Sequence, residues 1–140
     1  MCGIIGYVGS KNAVPIIVEG LKKLEYRGYD SAGIAVYGAD GFKLVKQKGR
    51  LAALESRLTG CSITGTMGIG HTRWATHGEP SDVNSHPHMG NQSKIVIVHN
   101  GIIENYKQLK ERLQQKGIHF VSQTDSEVIA QLAEYYYKGD

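Results

Sequence analysis

The chain begins with an apolar segment, Gly3–Val8, placed directly after Met1 and Cys2. No other segment limits the fold as strongly, because this composition predicts a buried strand that starts at the terminus itself. The strand would hold Cys2 rigidly at its end, as a catalytic side chain requires. If Met1 is removed, Cys2 carries a thiol and a free α-amine, and a nucleophile activated by its own amine is a known mode of covalent catalysis. Taken alone, however, this pattern is more typical of an inert, half-buried cysteine.

Length and charge exclude several classes of function. At 140 residues we expect a single domain. The net charge is +3 and no run of five basic residues occurs, so neither nucleic acid nor an anionic membrane is indicated as a partner. The longest aliphatic run, 95–98, is too short to span a bilayer, and no charged region precedes the first apolar residues as in a secretory signal. We therefore expect a cytoplasmic protein in which Cys2 and Cys61 are free thiols.

Short apolar segments alternate with amphipathic ones along the chain. The pattern predicts strands over 3–8, 32–37, 42–47, 66–71, 94–99 and 118–121. It predicts helices capped by Asn12, over 51–58, over 106–115, and after Thr124 and Glu127, which have capping-box spacing. The segment 94–99 is the clearest candidate for a central strand. These elements fit an α+β fold, but they do not distinguish one α+β sandwich from another.

Residues 73–92 form a long polar loop that holds three of the six histidines. A loop of this length in a compact domain is usually functional. His86 and His88 lie two apart, as zinc ligands can. No CxxC or HExxH accompanies them, so we predict no metal site. The glycines give neither a GxGxxG between strand and helix nor a P-loop, so we predict no nucleotide cofactor either.

Five separated blocks occur in order: CGIIG at 2–6, LEYRGYDSAG at 24–33, HTRWATHG at 71–78, NSHPH at 84–88 and HNGIIEN at 99–105. Together they resemble the glutaminase domain of the class II glutamine amidotransferases, and the resemblance extends over essentially the whole chain. The runs EYRGYDSAG and HTRWATHGEP favour the branch that aminates a sugar phosphate. Phosphoribosyl-pyrophosphate amidotransferases and asparagine synthetases share the terminal cysteine and the Asn-Gly pair but differ in the loops between them.

The resemblance implies a fold and a domain arrangement. The fold is that of the N-terminal-nucleophile hydrolases, an αββα four-layer sandwich of antiparallel sheets with the processed Cys2 at the end of a central strand. Members of the sugar-phosphate branch continue through sugar-phosphate isomerase domains and are expected to be homodimers. We therefore expect residues 1–140 to be the N-terminal part of a glutaminase domain, truncated at the C-terminus, with the isomerase domains absent.

The resemblance also implies catalytic roles. The thiolate of Cys2 would attack the side-chain amide of glutamine, and its α-amine would carry the proton. The side-chain amide of Asn100 and the backbone N–H of Gly101 would stabilise the charge that develops on the amide oxygen. As a pattern alone, Asn100-Gly101 is equally typical of an ordinary turn.

Two charged residues are implied to hold the head group of L-glutamine. Arg73 would bind its α-carboxylate through a two-pronged hydrogen bond, and Asp125 would receive its α-ammonium group. From the residues alone, Arg73 could equally be a solvated loop charge, and Asp125 could share the capping of the last helix with Thr124.

The remaining implied site residues surround the substrate. Trp74, Thr76 and His77 would form a mobile lid that excludes water, with a core aromatic as the alternative for Trp74. Arg27 and Gly28 would lie near the nucleophile, where the glycine allows close backbone approach.

The resulting expectation is hydrolysis of glutamine to glutamate and ammonia without a cofactor. In the full-length enzyme the ammonia would convert fructose 6-phosphate to glucosamine 6-phosphate. Two alternatives remain open: a non-catalytic fragment that acts only in binding or assembly, and the glutaminase domain of another class II amidotransferase. His86 and His99 are expected to orient loops.

Overall fold

The computed structural model describes residues 2–75 and 78–139. Its main sheet is antiparallel and contains β1 Gly3–Val8, β2 Ser31–Gly38, β3 Gly41–Lys48 and β4 Met67–Arg73. The strand order is β1-β4-β2-β3. The predicted strands over 3–8, 32–37, 42–47 and 66–71 are confirmed, with ends that shift by no more than two residues. These strands form where the apolar residues alternate or run continuously, as half-buried and buried strands require.

Two helices, α1 Ala13–Leu24 and α2 Leu51–Thr59, cover one face of this sheet. The predicted cap of α1 is confirmed, because Asn12 Oδ1 accepts the N–H of Val14 at 3.2 Å. The apolar faces of both helices meet the inward side chains of β2 and β3 in one buried cluster that includes Ile17, Ile34 and Leu54. That cluster fixes the strands whose ends carry the candidate site.

A second layer lies on the opposite face of the sheet. It contains two short strands, β5 His88–Met89 and β6 Val96–Ile97, and two helices, α3 Tyr106–Gln115 and α4 Glu127–Tyr136. The rings of His86 and His71 stack across the boundary between the two layers at 4.2 Å. The chain thus has an α+β fold. Within the described ranges, no helix is long and apolar enough to cross a membrane.

Two strand predictions in the second layer are wrong. The segment 94–99 is not a central strand: only Val96–Ile97 pairs, with β5, and these residues are half-buried. The segment 118–121 forms no strand at all. In both segments side chains bind backbone N–H groups that a neighbouring strand would otherwise bind. The Glu134 carboxylate accepts those of 94 and 95, Asn91 Oδ1 accepts that of His119, and the Glu127 carboxylate accepts that of Val121.

The predicted capping box of α4 is also wrong. The Glu127 carboxylate reaches back to the N–H groups of Val121 and Ser122, while the hydroxyl of Thr124 bonds His88 Nε2 at 2.7 Å. One turn from the end of the helix, Glu134 accepts the backbone N–H groups of 92, 94 and 95. Since α4 binds both segments through buried carboxylates, it fixes the loop that carries Asp125.

Candidate active site

A cavity of about 420 Å³ lies at one end of the main sheet. This volume is typical of small-molecule sites, which run from about 300 to 1,000 Å³. Its wall includes seven of the site residues predicted under Sequence analysis: Cys2, Arg27, Arg73, Trp74, Asn100, Gly101 and Asp125. The other lining residues are His86, His99, Ile102, Thr124 and Ser126. Thr76 and His77 lie outside the described residues.

Cys2 lies directly before β1, beside the end of β4. The pairing of Gly3 with Thr72 places it there, since the two strands are antiparallel. Its Sγ accepts the backbone N–H of Trp74 at 3.1 Å, and the thiol lies 3.4 Å from the carbonyl oxygen of Trp74. The side chain is a free thiol, only partly buried, so a ligand in the cavity can reach it. Within the described part of the chain β1 is an edge strand, not the central strand expected, because only β4 pairs with it.

The Asn100 side chain joins the nucleophile to β4. Its Nδ2 donates to the carbonyl oxygen of Cys2 at 3.2 Å, and its Oδ1 lies 2.8 Å from His71 Nε2. A carbonyl oxygen can only accept, so the nitrogen of the amide must face Cys2 and the oxygen must face His71. The donor end of Asn100 is therefore directed toward the reactive terminus.

Gly101 follows in a conformation that other residues avoid. Its φ is +153°, and a Cβ built there would lie 2.9 Å from His99 Nε2. The His99 ring is held in turn by its Nδ1, which lies 3.0 Å from Ser126 Oγ. Because glycine allows both the φ and the close approach, the chain can turn at the cavity without moving the Asn100 amide.

Arg73 and Asp125 bring opposite charges to the cavity wall, and both are almost completely buried. The Arg73 guanidinium donates to the carbonyl oxygens of Gly78 at 3.1 Å and Glu79 at 3.4 Å. Burial lowers the pKa of Arg73, and Cys2, Asp30 and, least of the three, Asp125 partly offset that shift. Asp125 Oδ2 accepts the N–H of Ile103 at 2.7 Å, which fixes the carboxylate against the 99–103 loop. The pair suits a ligand with both a carboxylate and an ammonium group.

Three buried histidines lie at the cavity wall: His86 lines the cavity, and His71 and His88 pack behind it. The rings of His71 and His86 stack, and the His88 ring tilts against His86 at 4.5 Å. Burial lowers the pKa of His71 to about 4 and the pKa values of His86 and His88 well below the usual range. All three rings are therefore neutral near pH 7. Among the residues the structure describes, no group of histidine, cysteine or acidic side chains is arranged to hold a metal ion.

Sequence reasoning missed three residues of the site. His71 contacts Asn100, and Thr124 lines the cavity while bonding His88. Asp30 Oδ2 accepts the N–H of Ala75 at 2.8 Å and so anchors the chain just after Trp74. Asp30 and His71 both lie in the sequence blocks quoted above, but their partners are far along the chain and could not be deduced from spacing.

Gly28 packs against the backbone that holds the nucleophile. A Cβ added there would lie 2.8 Å from the carbonyl carbon of Arg73 and 3.0 Å from Trp74 N. We expect Gly28→Ala to lower the free energy of unfolding by about 1–3 kcal/mol, because backbone cannot move aside as a flexible side chain can. Denaturant unfolding would measure this. The matched control is Gly60→Ala, where the nearest atom to the new Cβ is 3.7 Å away. An equal effect at both positions would contradict this prediction.

Comparisons with known proteins identify a family and several relatives that resemble this chain. The profile of the glutamine amidotransferase domain matches residues 43–139. Over all 140 residues, the chain is 64% identical to the glutamine–fructose-6-phosphate aminotransferase [isomerizing] of Clostridium perfringens and 61% identical to that of Clostridium tetani. The identity to the same enzyme of Thermus thermophilus is 54%. The chain spans 23% of the length of each of these relatives.

Solved structures share the fold over the whole chain. The glutamine phosphoribosylpyrophosphate amidotransferase of B. subtilis, complexed with ADP and GMP, superposes with a TM-score of 0.79 at 28% identity. A structure described as the allosteric regulatory enzyme of purine biosynthesis gives a TM-score of 0.81 at 29% identity. Both matches cover 100% of this chain and 30% of the solved one. With the profile matching well over half of its residues, the chain belongs to the glutamine amidotransferase domain family, class II.

Proposed function

We propose that this chain hydrolyses the side-chain amide of L-glutamine to glutamate and ammonia through a cysteinyl thioester at Cys2. The observation that carries the proposal is the meeting of three features in one cavity. These are a reachable thiol, an amide donor directed at the same terminus, and a buried pair of opposite charges. Family membership supports the same chemistry.

The first half of the reaction forms the thioester. Once Met1 is removed, the α-amine of Cys2 accepts the thiol proton, and the sulfur attacks the amide carbon of glutamine. Negative charge moves to the amide oxygen, where Asn100 Nδ2 and the N–H of Gly101 stabilise it. The protonated amine then gives its proton to the leaving nitrogen, and ammonia departs.

The second half returns the enzyme to its starting state. The free amine accepts a proton from water as the water attacks the thioester carbon. The same two donors stabilise the second tetrahedral intermediate. Its collapse breaks the carbon–sulfur bond, releases glutamate and leaves Cys2 ready for another turnover.

The charged wall would hold glutamine in register for this attack. Arg73 binds the α-carboxylate and Asp125 binds the α-ammonium, so the side-chain amide extends toward Cys2. The half-exposed Trp74, packed edge-on against Tyr29 at 5.5 Å, lines the cavity and would cover its opening. Arg27 borders the cavity beside them, while lid roles for Thr76 and His77 remain predictions.

We further propose a place for this chain within a longer enzyme. By similarity to the aminotransferases, residues 1–140 would be the N-terminal part of a four-layer αββα glutaminase domain. Its ammonia would pass to a sugar-phosphate isomerase domain of a homodimeric enzyme and convert fructose 6-phosphate to glucosamine 6-phosphate. The free thiols of Cys2 and Cys61 suit a reducing cytoplasm.

A thiol-directed glutamine analogue with an electrophilic ketone tests the proposal. Intact mass first determines whether Met1 is removed. We then expect one adduct, on Cys2, which excess glutamine prevents. Cys61 is the internal control, because it is the more exposed thiol yet lies away from the cavity. If only Cys61 is labelled, or if glutamine does not slow the labelling of Cys2, the chain does not bind glutamine at Cys2 and the proposal is wrong.

A further inference from the structure

We infer that His71 is a positioning residue for glutamine hydrolysis: its Nε2–H holds the Asn100 amide with Nδ2 toward the reacting carbonyl. This inference rests on the proposed function, because it assigns the means by which the oxyanion donor is oriented. His71 does not touch the cavity and acts only through Asn100.

The orientation of an asparagine amide depends on its hydrogen bonds. Oxygen and nitrogen have nearly the same size, so packing scarcely distinguishes an amide from its flipped form. At Asn100 the two ends meet different partners. The Cys2 carbonyl accepts from Nδ2 at 3.2 Å, and His71 Nε2 lies 2.8 Å from Oδ1. Flipping would set two acceptors against each other at Cys2.

The flipped Asn100 amide would also destabilise the oxyanion that the correct orientation stabilises. An amide nitrogen carries two hydrogens, so Nδ2 can bond Cys2 with one and still offer the other to the developing oxyanion. A flipped Asn100 would present its oxygen to that charge and repel it. Correct orientation is thus required in the transition state more than in substrate binding.

His71 is suited to act as a fixed donor. Its ring is buried on β4, a strand paired on both sides, and it stacks on His86 with an interplanar angle of 18°. With a pKa of about 4, the ring is neutral at working pH and carries a single N–H. Because Asn100 Oδ1 can only accept, that hydrogen must be on Nε2.

Two substitutions separate the donor from the ring. His71→Phe keeps an aromatic ring against His86 but removes the donor. His71→Gln removes the ring but can place an amide N–H near the position of Nε2. We expect His71→Phe to lower kcat by about 10- to 100-fold, the range known for loss of a hydrogen-bond partner that orients a metal ligand, which is the analogous case. The KM should remain unchanged, and His71→Gln should recover most of the rate. The exposed His119→Phe serves as a control with parental kinetics.

Non-additivity tests whether His71 acts through Asn100. In an Asn100→Ala background, His71→Phe should cause little further loss of kcat, since the group it orients is gone. Equal losses in both backgrounds would show a general structural effect and overturn the inference. So would parental kcat in His71→Phe.

Two further readouts keep this result distinct from failure of the proposed function. If the unsubstituted chain with Met1 removed releases glutamate no faster than Cys2→Ala, the proposed function fails and the inference fails with it. Nitrogen NMR of the unsubstituted chain reports the tautomer without any turnover. A protonated Nε2 at His71 is expected, and an unprotonated Nε2 would overturn the inference alone.

Discussion

Replacing Cys2 with alanine should lower the rate of glutamate release from glutamine by about 10⁴-fold or more, the scale of loss when a catalytic nucleophile is removed. The remaining groups of the cavity can bind and polarise glutamine, but none of them can form the thioester. A coupled glutamate assay on protein with a verified intact mass measures the effect. Cys61→Ala is the matched control and should keep the parental rate, because Cys61 is exposed and does not line the cavity.

The same assay separates the thiol from its amine. While Met1 remains, the nitrogen of Cys2 is an amide without useful basicity, so this form should be nearly as inactive as Cys2→Ala. Activity should therefore follow the fraction of molecules that begin at Cys2. Equal turnover by the unsubstituted chain and Cys2→Ala would instead place this protein among non-catalytic binding or assembly modules.

The main sheet could be predicted from sequence because its signals are local. The apolar run of β1 and the hairpin of β2 and β3, with Gly41 at a φ of +88° in the turn, need only neighbouring residues to specify them. The second layer could not. Residues 94–99 have the composition of a buried strand, but a strand forms only where another offers its backbone, and β5 offers two residues.

In that layer, side chains make the backbone hydrogen bonds that a neighbouring strand would make in a sheet. Glu134 and Glu127 accept backbone N–H groups that a neighbouring strand would otherwise bind. Lys46 donates to the carbonyl oxygens of Val83 and Pro87, and burial lowers its pKa to about 8. Charged residues on a helix or strand usually predict a solvated face. Here Glu127 and Glu134 are buried and Lys46 is half-buried, because irregular backbone inside a protein must find partners.

In the candidate site, too, some residues could be predicted from the sequence and others could not. Cys2, Arg73 and Asn100 could be predicted because contiguous motifs carry them, and Asp125 because the family resemblance implies it; the structure brings all four to one cavity. His71 was not, since its role depends on which atom of Asn100 faces it across 29 positions of sequence. Spacing specifies which residues are near one another, but not the direction of a hydrogen bond.

Asn100→Ala should lower kcat by about 10²- to 10³-fold, equivalent to about 3–4 kcal/mol of transition-state stabilisation. The KM should change little, because the donor strengthens its bond only as negative charge develops on the amide oxygen. Steady-state kinetics of glutamate release measures both constants. The matched control is Asn105→Ala, at the exposed start of α3, where the side chain makes no capping hydrogen bond.

Asn100→Asp distinguishes donation from mere occupancy of the space. The carboxylate has nearly the same shape and can still accept from His71, but it offers no hydrogen and carries a charge that repels the oxyanion. Its kcat should therefore fall at least as far as that of Asn100→Ala, although more of the native packing is kept. If Asn100→Asp were the more active of the two, the side chain would contribute by filling space, and the stabilising donor would have to be Gly101 alone.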